Sequence, residues 1–106
     1  MELLWYCIRE MDADALERAL RMMDGERRRR VAELPNEDDR KRSAAGELLA
    51  RQAAAKRLNI APESVALRWD ENGKPYVEGA DFHVSVSHSG PYAVCAVGEK
   101  LLGVDV

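Results

Sequence analysis

The sequence predicts an α+β fold in which helices pack on an antiparallel sheet. Two observations carry that expectation. Between Asp12 and Leu58 the apolar residues recur at helical spacing, whereas after Asn59 short alternating segments are separated by turn residues. A third bounds its size: 106 residues, 46% hydrophobic and 33% charged, suit one modest core and exclude a disordered tail or low-complexity linker.

Leu3 to Ile8 is an unbroken apolar run ending at Arg9 and Glu10, which predicts a buried strand. From Asp12 the period changes. Ala13, Leu16, Ala19, Leu20 and Met23 share one helical face, with Asp12 and Asp14 favourably placed at its positive end and Gly25 as its terminator. A short helix is expected over Glu26 to Leu34, before Pro35. Asn36 is the N-cap expected for a long helix to about Leu58, with Glu37, Asp38 and Asp39 in its first turn and an apolar stripe of Ala44, Ala45, Leu48, Leu49, Ala55 and Leu58.

Val65 to Trp69 and Tyr76-Val77 read as strands joined through Asn72-Gly73. Phe82, Val84 and Val86 alternate with His83, Ser85 and Ser87, the period of a strand with one buried face. Ser89-Gly90-Pro91 turns the chain into the apolar segment Tyr92 to Val97, and Gly98-Glu99-Lys100 turns it into a last strand, Leu101 to Val106. Apolar residues on both faces predict a central position there.

One domain, or a piece of one, is all this length allows, and folding should hide roughly 65% of the surface of the unfolded chain. Sixteen basic and nineteen acidic side chains leave a net charge of −3, so neither nucleic acid nor an anionic membrane is an expected partner. No apolar run reaches the roughly 18 residues of a membrane span. Cys7 and Cys95 lie in apolar runs, which fits buried thiols in a reducing compartment, and Glu2 stands where a secretory signal would be positive. The expected location is cytoplasmic. Val106 closes the sequence inside an apolar run, which predicts a truncated chain or half of a larger protein.

Four features could carry chemistry. Arg27-Arg28-Arg29-Arg30 with Arg40, Lys41 and Arg42 is the densest cationic segment; it is either a solvated face offset by nearby acids or a phosphate clamp. On a helix Arg27 and Arg30 are neighbours while Arg29 points away. Ser87-His88-Ser89-Gly90 sets hydroxyls and an imidazole at a strand end, where they either serve structure or donate to an anion. Adjacent residues seldom form a nucleophilic pair, so hydrolysis is disfavoured. Asp105, in an otherwise apolar run, either faces water or has a partner such as Mg2+. Lys74 follows the Asn72-Gly73 turn and either decorates it or reaches an anion.

Taken jointly, Gly73-Lys74-Pro75-Tyr76, the segment Phe82 to Gly90, Ala93 to Val97 and Gly103-Val104-Asp105 resemble, in order and spacing, the 4'-phosphopantetheinyl transferases of the two-lobed, surfactin-synthetase-activating type. The resemblance covers the N-terminal half of a typical member and implies the matching α+β lobe. It also implies transfer of the phosphopantetheine arm of coenzyme A to an acyl or peptidyl carrier-protein serine, with release of adenosine 3',5'-bisphosphate and a requirement for Mg2+.

Carried over by position, Arg27, Arg30 and Arg42 would clamp the 3'-phosphate of coenzyme A with help from His88. Lys74 and Ser43 would border the adenine or its phosphates, Ser87 would touch the phosphate chain, and Asp105 would be the first Mg2+ ligand. In the family a second acid and a later W-x-x-K-E block follow, and both would lie beyond Val106. No residue of this chain is therefore assigned to catalysis, and the chain alone is expected to be inactive. The alternative is a free-standing half-domain that binds coenzyme A or a nucleotide, or self-associates over an apolar face that the missing C-terminal lobe would cover.

Overall fold

The computed structural model of the chain describes residues 1–99. Strand β1 (Glu2–Cys7) leads through a 3-10 turn into helices α1 (Ala13–Met22), α2 (Gly25–Ala32) and α3 (Glu37–Leu58). Four strands follow: β2 (Leu67–Trp69), β3 (Pro75–Val77), β4 (His83–Ser89) and β5 (Tyr92–Gly98). This is the expected α+β architecture. The antiparallel strands form two sheets, one of three strands in the order β1-β5-β4 and a separate β2-β3 hairpin.

Short polar side chains start each helix. The backbone N–H of Ala15 donates to Asp12 (2.8 Å), that of Arg27 to Asp24 (2.9 Å), and those of Asp38 and Asp39 to Asn36 (2.8 and 3.3 Å). Asn59 closes α3 in the left-handed region at φ 57°. Gly25 opens α2 rather than closing α1, because Asp24 offers the capping oxygen there.

The core lies between α3 and the three-stranded sheet. Ala44, Ala45, Ala50, Ala53 and Ala54 are fully buried, as are Ala93, Cys95 and Val97 of β5. Alanines along the helix let its backbone approach the sheet closely, and a 22-residue helix then covers the central strand. Among the described residues β5 is the central strand; the central strand expected over Leu101 to Val106 lies outside the described residues.

Several expectations are corrected. Among the described residues β1 borders the sheet, so its outward side chains Leu3 and Trp5 stay 50% and 69% exposed. On α1, Ala13 is exposed, and Ala15 and Ala19 are the residues buried in the core with the alanines of α3. Leu58 is exposed at the end of α3, and Cys7 is only half-buried. Among the described residues no helix is long and apolar enough to cross a membrane.

Candidate functional site

The site is built where α3 crosses the end of β4, and Gly46 sets the distance. A Cβ at this position would stand 3.1 Å from Cγ1 of Val86 and 3.8 Å from both Nε2 of His88 and Cη2 of Trp69. Only a residue without a side chain lets helix, strand and hairpin close at this point. His88 is on the helix-facing side of β4 with Val84 and Val86, as the period-2 alternation requires.

Arg42, one turn before Gly46, reaches the same corner. Its Nε donates to the carbonyl of Gly90 at 3.4 Å and its Nη1 to Asp39 at 2.6 Å, while its own carbonyl lies 3.2 Å from Nε2 of His88. Gly90 carries the turn at φ 55°, a conformation that glycine adopts without cost. Helix α3 and the Ser-His-Ser-Gly corner are thereby stitched together.

Behind this corner lies a buried ionic cluster. Glu47 is 1% exposed, and its carboxylate accepts from Nε of Arg27 (3.1 Å), Nε of Arg51 (2.6 Å) and the indole N–H of Trp69 (2.9 Å). The guanidinium of Arg27 lies flat above the Trp69 ring, 3.8 Å from its centroid. Burial pulls the pKa of Arg27 below its ordinary value, and Glu47 works against that shift. Arg51 donates further to the carbonyls of Pro62, Val65 and Met22, tying α3 to the chain on either side.

The four-arginine run is divided by its surroundings. Arg27 enters the cluster, whereas Arg28 donates to the carbonyls of Leu20, Arg21 and Met23 and so caps α1. Arg30 is exposed, close enough to Arg27 to act on its charge, and pairs with no acid among the described residues. Ser43 is half-buried beside Arg42. Lys74 is exposed on the hairpin turn, anchored by its backbone N–H to Asp70 (2.9 Å), and the hairpin is joined to the cluster through Trp69.

Thus Arg27 lies over Trp69, His88 lies against the carbonyl of Arg42, and Trp69 and His88 both border the space beside Gly46. Arg27 and Arg42, of the early arginines, lie near the late imidazole. Ser87 does not join them: alternation puts it on the sheet face opposite His88, with Leu3 and Trp5. A ligand reaching both Ser87 and His88 would have to cross the end of the strand.

A profile described as "4'-phosphopantetheinyl transferase, N-terminal" matches residues 10–100. The chain belongs to the 4'-phosphopantetheinyl transferase family. It is 33% identical over 102 residues to a 4'-phosphopantetheinyl transferase of Bacillus subtilis, covering 95% of this chain and 46% of that protein. Over 71 residues it is 41% identical to 4'-phosphopantetheinyl transferase gsp of Aneurinibacillus migulanus, covering 67% of this chain and 30% of that one. It is 32% identical over 93 residues to the L-aminoadipate-semialdehyde dehydrogenase-phosphopantetheinyl transferase of Xenopus laevis, covering 81% and 31%. The chain therefore spans 30% to 46% of the length of these phosphopantetheinyl transferases.

Sequence reading missed Gly46, Glu47, Arg51 and Trp69. One signal was available: Glu47 and Arg51, opposite charges four apart, interrupt an otherwise alanine-rich helix face. Asp105, the Mg2+ ligand that resemblance to the transferases implies, lies outside the described residues. Among the described residues no group of three or more His, Cys, Asp or Glu could hold a metal ion, so they supply no complete metal shell.

Proposed function

We propose that residues 1–106 are the N-terminal lobe of a Mg2+-dependent enzyme that moves the 4'-phosphopantetheine arm of coenzyme A onto a carrier-protein serine. In that reaction the serine oxygen bonds to the phosphorus bearing pantetheine, the bond to the bridging oxygen breaks, and adenosine 3',5'-bisphosphate leaves. This lobe's residues hold the leaving half. Arg27, Arg30 and Arg42 face its 3'-phosphate, His88 donates to the same group, Ser43 and Lys74 border the adenine end, and Ser87 meets the phosphate chain from the other face of β4. Asp105 would help to hold Mg2+, whose chemistry there would be to offset charge developing at phosphorus.

The observation that supports this reading is that the Arg27–Trp69 pair and the His88–Arg42 pair border the same space beside Gly46. A polyanion needs several cations and donors at one place, and this corner gathers them from two helices, a hairpin and a strand end. Phosphoryl transfer also needs a complete metal shell and a positioned nucleophile, so the lobe by itself is inactive. The expected setting is the cytoplasm, where coenzyme A and carrier proteins meet.

Titration of the chain with coenzyme A, adenosine 3',5'-bisphosphate and a random oligonucleotide at several salt concentrations tests the reading. The first two should bind, and Arg30→Ala with Lys74→Ala should weaken them. Tighter oligonucleotide binding with a steep salt slope would reject it. Intact-mass measurement of a carrier protein incubated with the chain, coenzyme A and Mg2+ should show no added arm.

A second reading has its own support. Met1, Leu3 and Trp5 leave an apolar strip 50% or more exposed along β1, a surface suited to a second copy of the chain in a half-domain that binds without catalysing. Light scattering decides between them, because a monomer at high concentration excludes self-association.

A further inference from the structure

We propose that Glu47 is a positioning residue that aims Arg27 as a two-pronged phosphate donor. The inference rests on the reading of Arg27 as part of the 3'-phosphate clamp, and it assigns Glu47 and Trp69 a task in that clamp. Glu47 itself is buried too deeply to meet a ligand.

Two constraints fix the guanidinium of Arg27. Glu47 takes its Nε–H at 3.1 Å, and the Trp69 ring lies beneath its plane at 3.8 Å. One restricts rotation about the end of the side chain and the other sets the plane. With Nε engaged, Nη1 and Nη2 make no hydrogen bond to the described residues, and together they form the edge that matches two oxygens of one phosphate. The Trp69 N–H, bonded to Oε1 of Glu47 at 2.9 Å, holds the carboxylate in turn.

Charge points the same way. One carboxylate serves two guanidiniums, so the cluster carries a surplus positive charge in a place with little water. Arg51 is 5% exposed, and its remaining contacts are backbone carbonyls. Arg27, at 14%, is the only member of the two through which solvent or a ligand can reach that surplus. A bound phosphate would neutralise it.

The test compares the affinity of the chain for coenzyme A and 3'-dephospho-coenzyme A by calorimetry, reading the ratio rather than either value. Glu47→Gln removes the buried negative charge with little change in shape. If Glu47 acted through charge alone, neutralising it would strengthen attraction to phosphate and raise the ratio. If it only supported the fold, both ligands would weaken alike. Aiming Arg27 predicts that the ratio falls by roughly tenfold, the scale of one charge-assisted hydrogen bond.

Trp69→Phe keeps every charge and a ring under Arg27 while deleting the N–H that holds Glu47. It should lower the ratio by about threefold, and it decides the matter if thermal melting shows that Glu47→Gln does not fold. A ratio unchanged or raised in the folded variant overturns the proposal while leaving Arg27 as a clamp. A wild-type chain that shows no preference for the 3'-phosphate overturns both.

Discussion

Nε2 of His88 lies 3.2 Å from the carbonyl oxygen of Arg42, a contact between residues 46 positions apart that pins the end of β4 to the first turns of α3. With Nε2 donating to that carbonyl, Nδ1 donates to an anionic ligand when the ring carries both protons. His88 is exposed, so its loss should cost the fold little. His88→Ala is expected to weaken coenzyme A binding roughly tenfold, as one charge-assisted bond would, while shifting the melting temperature by only a degree or two. Calorimetric titration and thermal melting of the same sample check both halves.

Gly46 controls the same corner through space. Its Cβ position is already within 3.1 Å of Val86, so Gly46→Leu must drive helix and strand apart or displace His88 and Trp69. The better helix propensity of leucine recovers about 1 kcal/mol, which is less than the overpacking cost at the crowded upper end of about 3 kcal/mol. We expect a net loss of roughly 2 kcal/mol in urea unfolding together with weakened coenzyme A binding. Unchanged stability would show that the seam has room.

The cluster behind the corner makes a separable prediction. Arg51→Met strips Glu47 of its shortest partner at 2.6 Å and leaves three backbone carbonyls without that donor. Glu47 keeps Arg27 and the Trp69 N–H, so the cost, about 3–5 kcal/mol, is that of one buried ion pair together with three carbonyls left without their donor. A denaturation midpoint lowered by that energy divided by the slope, with the slope itself unchanged, is the expected result. The double variant Glu47→Leu with Arg51→Met should be no more stable than Arg51→Met alone, since it also takes the acceptor from Arg27 and from the Trp69 N–H.

These residues also mark how far sequence could reach. Asn36 was legible as a cap because a short acceptor before an amphipathic run has one favourable use, Asp12 was legible only as an acid at the start of α1, and the glycine turn at Gly90 followed from its neighbours. The phase of α1 and the exposure of Leu3 and Trp5 were not, since they depend on which element arrives opposite. The division of the arginine run was equally hidden. Arg27, Arg28 and Arg30 are chemically alike in the sequence, and only the carboxylate of Glu47 and the carbonyl end of α1 give them different tasks. His88 was singled out correctly as a candidate, but its bond to Arg42 spans a distance along the chain that no local pattern encodes.

Cys95 supplies a pH test of the core that bears on neither ligand nor site. It is fully buried on β5, and burial pushes its thiol up to about 11 from an ordinary value of 9.0, opposed by a backbone hydrogen bond at Ser85. Below about pH 9 both folded and unfolded chains hold the proton, so its contribution to stability is complete. As pH climbs from 9 towards 11 the unfolded thiol ionises first, the unfolded state binds fewer protons, and stability falls by roughly 2–3 kcal/mol. Tyr6, also raised chiefly by burial, adds to the decline in the same direction. Cys95→Ala should start from a lower stability because of the space it leaves, yet lose less between pH 9 and 11 than the parent chain. Urea unfolding at half-unit pH intervals measures both slopes, and equal slopes would mean that the Cys95 thiol ionises alike in the folded and unfolded chains.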